Sequence, residues 1–361
     1  MITVKRRDDA PEREEPKVTK ALVLDQPRKL RIESRTVPDP GLGEMRIRIG
    51  YGGICGSDLH YFLHGGFGKV RMRGPMVLGH EICGTVEAVG EGVDQSRIGE
   101  AVAVDPSLSC GTCRQCRAGR PRFCEDMRFM GSAMRNPAVE GGFREHVICK
   151  AGQAVSFTGA ALEEAALAEP LAVCLHAVRQ AGDLRGKRVL ITGFGPIGAL
   201  CLLAARHAGA AEIIVTDVAK APLELALRLG SDAAYDSRRP NALDGLTGGR
   251  GEMDVTLECS AHPAAIADAI AATAPCGTIV QVGMLSAETT APLTHIVTKE
   301  LNFRGTFRFD VEFAQAVRLI AERGIDVRPL ISQRFPLSEA DAAFAVAQDR
   351  GQAMKVLFDL N

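Results

Sequence analysis

Charged and apolar residues alternate from Glu44 to Tyr51, the period of a strand with one buried face. Ala21 to Glu33 reads as a pair of strands folded about a turn at Asp25 to Lys29. Ile82 to Val89 is rich in β-branched residues, Val102 to Val104 is a shorter apolar run, and Gly142 to Ile148 returns to strand. Glycines and turn residues crowd Gly52 to Gly79. This half is predicted to be all-β, with many short strands and long loops.

The period changes near Leu162. Glu163 to Gln180 is Ala-rich with helical spacing, and Arg188 to Thr192 is a buried strand. A glycine turn, Gly193 to Gly198, leads into a helix through His207. Ala211 to Thr216, Asp254 to Glu258 and Thr278 to Val282 read as further strands, with a helix at Pro222 to Leu229. Strand and helix alternating at this rhythm predict a parallel, doubly wound sheet. Leu301 to Phe309 is strand-like, and Phe313 to Glu322 and Ser338 to Ala347 read as helices. Lys355 to Phe358 is a closing strand placed to return to the first domain. Residues 1–19 mix acidic and basic side chains without an apolar core, so a disordered extension is expected there rather than a signal peptide.

With 361 residues the chain has room for two cores. A net charge of −1 gives no basic field, which argues against nucleic acid or an anionic membrane as partner. No run is long and apolar enough for a membrane span. The cysteines number 11, an odd count scattered through apolar segments, which argues against a secreted disulfide framework. A cytoplasmic location is expected.

Four of them, Cys110, Cys113, Cys116 and Cys124, have the spacing of a closed tetrahedral zinc site, and so read as structural. Redox-active thiols are the alternative, but no strand–helix setting of that kind surrounds them. Gly193, Gly195 and Gly198 follow a buried strand and open a helix, the setting of a dinucleotide turn in which Pro196 and Ile197 begin the helix facing the phosphates. Asp217 ends the next strand, where a carboxylate accepts from ribose hydroxyls and repels a 2′-phosphate. No arginine follows it directly and Lys220 is the nearest cation, so NAD is expected over NADP.

A second, scattered set comprises Cys55, His80, Glu81 and Glu169, whose spacing alone does not bring them together. Here the chain resembles the zinc-containing medium-chain alcohol and polyol dehydrogenases, from about Lys20 to the C-terminus. Gly79 to Gly90 (GHEICGTVEAVG), the cysteine quartet, and GFGPIG ahead of Asp217 carry the likeness. The resemblance implies a mixed fold: a GroES-like, β-barrel-like catalytic domain (residues 20–165 and 310–361) and a Rossmann domain (166–309). It implies one catalytic and one structural zinc per subunit, with NAD as hydride acceptor. The sorbitol dehydrogenase branch fits best, with Cys55, His80 and Glu81 matching its catalytic zinc ligands and Glu169 its additional glutamate. Cys174, near the position of a ligand in ethanol-type enzymes, is not expected to bind. Ser57 and His60 match the family's proton relay, and Asp58 is expected to orient the site. Within the branch, CGSDLHYFLHG and LNFRGTFRF most resemble L-idonate 5-dehydrogenases, which implies oxidation of L-idonate to 5-keto-D-gluconate in carbohydrate metabolism. A substrate carboxylate calls for a cation, and Arg304 and Arg308 are the candidates, alongside Ser57 and Glu169 as substrate contacts. A sorbitol, xylitol or galactitol dehydrogenase is the alternative, and a non-catalytic nucleotide-binding scaffold a more distant one. The resemblance also implies a homodimer or homotetramer.

Overall fold

The computed structural model describes residues 17–285 and 288–361. The first half builds a seven-stranded sheet. Its order is Ala154–Ser156, Ala101–Val104, Glu81–Val89, Glu44–Gly53, Lys355–Asp359 and Ile331–Pro336, with His146–Lys150 also on Glu44–Gly53. In Glu44–Gly53 the alternation works as expected: Met45, Ile47 and Ile49 are fully buried against Val86, Val102, Val104 and Val147. The closing strand does return, pairing antiparallel with Glu44–Gly53 so that Leu357 faces Gly53.

The second sheet has six strands, all parallel. Their order is Ala233–Asp236, Glu212–Asp217, Arg188–Thr192, Met253–Glu258, Thr273–Gln281 and Asn302–Gly305. Arg188–Thr192 and Glu212–Asp217 are buried almost throughout, as strands covered by helices on both faces must be. The chain runs outward from Arg188–Thr192 in one direction and then crosses back to the other side. That reversal opens a crevice at the carboxyl ends of the central strands. Helix Ala168–Ala181 packs with helices Pro196–His207 and Glu312–Ala321 in a core that also takes Cys83, Ala103 and Leu357 from the first sheet.

Four readings change. The segment Gly52 to Gly79 contains a helix, Gly56–His64, which the glycine-rich flanks concealed; its inward side buries Asp58, Tyr61 and Phe62, and Gly65 ends it at a φ of 70°. The helix expected over Glu163 to Gln180 is two, Leu162–Ala165 and Ala168–Ala181. The run expected to be strand to Phe309 stops at Gly305, and Arg308 beyond it has a left-handed φ of 52° that no strand can hold. Order also begins before residue 20. Strand Val18–Gln26 starts within the expected extension, and buried Thr19 accepts from the His146 backbone N–H. Residues 1–16 lie outside the described residues.

Candidate active site and metal centres

Strand register brings the scattered metal-type residues together. Gly53 lies directly across from Glu81, so the end of Glu44–Gly53 delivers Cys55 beside His80 and Glu81. Gly53 must be glycine for this: a Cβ there would stand 2.2 Å from a Glu81 carboxylate oxygen. Cys55 caps helix Gly56–His64, and Asp58 accepts from the Cys55 backbone N–H at 3.0 Å and from that of Gly79 at 3.1 Å. Ligand atoms of Cys55, His80 and Glu81 lie within 4.8 Å of one another. Glu169, in the first turn of Ala168–Ala181, is buried beside them but outside that set.

The group has more acids than cations. Lys355 is fully buried and donates to both Glu81 carboxylate oxygens, at 2.8 and 2.7 Å, and to the Ile54 carbonyl at 3.2 Å. Burial, with the Glu81 charge adding to it, pushes the Cys55 thiol up to about 12. Burial also lifts the Glu169 carboxyl to about 8; His80 opposes that shift, Glu81 and Cys55 add to it, and Lys355 opposes it. Among the described residues the buried His80 Nδ1 has no hydrogen-bond partner, and Asp58 lies 3.8 Å from it. A divalent cation would reverse each of these shifts, and thiol, imidazole and carboxylate are zinc donors. Each Glu81 oxygen keeps a lone pair for it. Cys174 stands apart: its buried thiol donates to the Ile197 carbonyl.

Ser57 is half-buried in the first turn of helix Gly56–His64, two residues from Cys55. His60, three residues on along the same helix, is exposed, and burial of part of its ring, with His64 adding, lowers its pKa. Arg308 comes near the metal-type cluster. Its guanidinium lies 4.7 Å from the Phe129 ring and 4.8 Å from that of Phe307, and Phe129 packs on His80 at 5.4 Å. Burial lowers its pKa while the Glu169 charge opposes that shift. Arg304 is not brought there. It donates to the Gln180 carbonyl at the far end of Ala168–Ala181, about 16 Å along the helix from Glu169.

The glycine turn has the required shape. Gly193 has a φ of 81°, and a Cβ on it would strike Ser260 at 2.6 Å; a Cβ on Gly198 would strike the Gly193 carbonyl at 2.1 Å. Gly195 caps helix Pro196–His207, with Pro196 and Ile197 following, and a Cβ on it would meet only the Arg350 guanidinium, at 3.9 Å. A cleft of about 250 Å³ joins this turn to Ile54, Gly56 and Leu59 of the metal-bearing region. Asp217 ends its strand as expected, but Lys220 is not its cation. Lys220 pairs with Glu224, while Arg350, remote in sequence, donates to Asp217 at 2.7 Å. Among the described residues, then, sequence reasoning missed Lys355 and Arg350. Lys355 left a trace, a lone cation in the apolar run Met354 to Phe358.

Cys110, Cys113, Cys116 and Cys124 also converge within 4.8 Å, all unbridged. Backbone N–H groups of Cys113 and Asp126 donate to the Cys110 and Cys124 sulfurs at 3.3 Å, and hydrogen bonds from the Thr112 and Cys113 backbones lower the Cys110 thiol to about 6. Hydrogen bonds also lower Cys113, whereas burial raises Cys124 and pushes Cys116 up to about 11. Four sulfurs converging on one point, with no bridge among them, make the closed set that a structural zinc requires.

Residues 41–159 match the alcohol dehydrogenase GroES-like domain, and residues 196–322 match the zinc-binding dehydrogenase domain. L-idonate 5-dehydrogenase (NAD(P)(+)) of Escherichia coli (strain K12) is 40% identical over 311 residues, 86% of this chain and 90% of that protein. Sorbitol dehydrogenase of Bos taurus is 37% identical over 349 residues, 93% of this chain and 95% of that protein. The crystal structure of L-idonate 5-dehydrogenase from Escherichia coli K-12 superposes with a TM-score of 0.92 at 37% identity, covering 96% of this chain and 99% of that one. With both metal sets and the glycine turn in place, the chain belongs to the zinc-binding medium-chain dehydrogenases.

Proposed function

We propose that this protein is an NAD-dependent zinc dehydrogenase that oxidises a secondary alcohol, with L-idonate, taken to 5-keto-D-gluconate, as the substrate. The observation that carries this reading is the convergence of Cys55, His80 and Glu81, with Cys55 standing between Ile54 and Gly56, two residues that line a cleft reaching Gly195 and Pro196 of the glycine turn. Bound zinc would supply the Lewis acidity that eases loss of the alcohol proton, and bound nicotinamide the hydride acceptor. Cys55, His80 and Glu81 hold the metal, Glu169 adds a carboxyl at its edge, and Asp58 and Lys355 fix the geometry behind them. Ser57 Oγ accepts the alcohol proton as its own hydroxyl proton is passed on toward solvent. His60 stands one turn further along the same helix, closer to solvent, and its lowered pKa keeps the imidazole neutral and able to receive that proton. Cys110, Cys113, Cys116 and Cys124 hold a second, structural zinc.

The metal-bearing domain comprises residues 20–165 and 310–361 and the dinucleotide domain 166–309. Supporting this division, Lys355–Asp359 pairs with Glu44–Gly53, whereas Asn302–Gly305 pairs with Thr273–Gln281. The protein is a homodimer or homotetramer. Strand Asn302–Gly305 is an exposed sheet edge, and nearby Val297 is 75% exposed. Its free cysteines suit the reducing cytoplasm. Among the described residues no helix is long and apolar enough to cross a membrane.

Initial rates of NADH formation with L-idonate, sorbitol, xylitol, galactitol and D-gluconate test the substrate. L-Idonate is expected to give the highest kcat/KM; a neutral polyol winning would overturn it and place the chain among polyol dehydrogenases. Arg308 bears on the same choice. Its left-handed φ of 52° is a strained backbone, and two rings hold its guanidinium beside Glu169. Arg308→Ala is expected to lower kcat/KM for L-idonate by about 10- to 100-fold, the worth of a charge-assisted contact, and that for sorbitol by much less. Equal losses on both substrates would sink the carboxylate contact.

A further inference from the structure

Asp217 has no free acceptor capacity. Its Oδ1 accepts from the backbone N–H groups of Val218 and Ala219 at 2.7 and 2.9 Å, and its Oδ2 from that of Phe194 at 2.6 Å and from the Arg350 guanidinium at 2.7 Å. A carboxylate offers about four lone-pair positions, and all are taken. Three donors are backbone groups fixed by the glycine turn and the strand end. The fourth is a side chain 51% exposed, against 2% for that of Asp217, and it alone can move.

Arg350 comes from the other domain. It lies between helix Ala340–Gln348 and strand Lys355–Asp359, the segment that also carries Lys355 to Glu81. Its Nη2 is 3.9 Å from where a Gly195 Cβ would stand, so it overhangs the phosphate turn. A second arginine is near. Asp236 lies beside Asp217 in register, and Arg238, paired with Asp236 at 2.9 Å, also feels the Asp217 charge. Arg239 also stands 3.8 Å from Asp236, so two carboxylates and three guanidinium groups meet at this corner, and the net negative charge that an isolated Asp217 would present to a phosphate is gone.

We propose that Arg350 sets cofactor selectivity: its guanidinium occupies the place of the adenosine 2′ substituent and binds a 2′-phosphate, so the enzyme accepts NADP as well as NAD. The inference rests on the dinucleotide reading above. For NAD, Arg350 must yield Asp217 to the ribose hydroxyls. For NADP, it turns to the phosphate while the backbone donors keep Asp217 turned inward. No covalent step is involved; the residue acts on binding alone.

Initial rates with each dinucleotide, on the wild type, Arg350→Ala and Arg350→Lys, test this together with calorimetric titration of 2′,5′-ADP and of ADP. In Arg350→Ala the KM for NADP and the Kd for 2′,5′-ADP are expected to rise by about 10- to 100-fold. The KM for NAD should fall, because Asp217 is released to the ribose. Arg350→Lys should keep most of the NADP use, which a merely structural role would not predict. If the KM values for NAD and NADP rise together, Arg350 is a pyrophosphate contact and the proposal is overturned. It is equally overturned if neither moves, or if the wild type turns over NAD yet binds no 2′,5′-ADP. A wild type that binds neither dinucleotide nor ADP would instead remove the dinucleotide reading itself.

Discussion

Cys55→Ala is expected to lower the rate of hydride transfer to NAD by more than about 100-fold, because loss of a metal's outer-shell partner alone costs 10- to 100-fold. The argument is electrostatic as much as geometric. Cys55, Glu81 and Glu169 share one buried cluster, and Lys355 is already committed to both oxygens of Glu81. Without a divalent cation, burial holds the thiol near 12 and the Glu169 carboxyl near 8. Removing the thiol leaves two of the three converging donors, His80 and Glu81, with only the more distant Glu169 carboxyl to supplement them, too few for a tight zinc site. The glycine turn takes no part in this cluster, so NAD affinity should be largely retained. Single-turnover NADH formation, metal content and NAD titration on the same preparation separate the outcomes. Full activity with one zinc fewer would refute the catalytic role of this centre. Loss of zinc and NAD binding together would mean that the substitution unfolded the protein.

The parts legible in the sequence are those set by local pattern. Alternation marks Glu44–Gly53, β-branched residues mark Glu81–Val89, and a buried strand followed by glycines marks the turn at Gly193. Short-range spacing was enough for the cysteine quartet, because its members lie on one loop. Helix Gly56–His64 escaped because nine residues between glycine-rich flanks give too short a periodic signal. The partners of the site were hidden for a different reason. Lys355 reaches Glu81 and Arg350 reaches Asp217 only because the closing strand pairs back on Glu44–Gly53. That return was foreseen, but one residue of register decides which face each side chain takes, and register is a property of the assembled sheet. Arg304 and Arg308 show the same limit. The strand expected through both ends at Gly305, and beyond it Arg308, at a positive φ, lies over the Phe129 ring beside His80 while Arg304 stays on the sheet edge.

Cys113→Ala should remove one zinc per subunit and lower stability by several kcal/mol, a fraction of the ~10–16 kcal/mol that structural zinc contributes in small peptides. The fraction is set by how local the lobe is. Its own regular structure is slight: helix Arg114–Arg117 and a two-stranded ribbon of Ser107–Leu108 with Arg128–Phe129. That little structure does not replace the cross-link that four sulfurs on one metal would give, so three sulfurs leave the lobe loosely held. The damage should nevertheless travel. Arg122 donates from its backbone to Asp310 at 3.0 Å and pairs with the same carboxylate through its side chain, and the Phe123 ring stacks on Phe307 at 6.0 Å. Phe129, at the lobe's exit, is one of the two rings holding Arg308. A rise in substrate KM should therefore accompany the fall in melting temperature, with the catalytic zinc still bound. Thermal unfolding, zinc stoichiometry and steady-state kinetics on the variant test the link. A destabilised variant with unchanged KM would confine the lobe to a structural role, and a stable variant still holding two zinc ions would refute the cysteine site altogether.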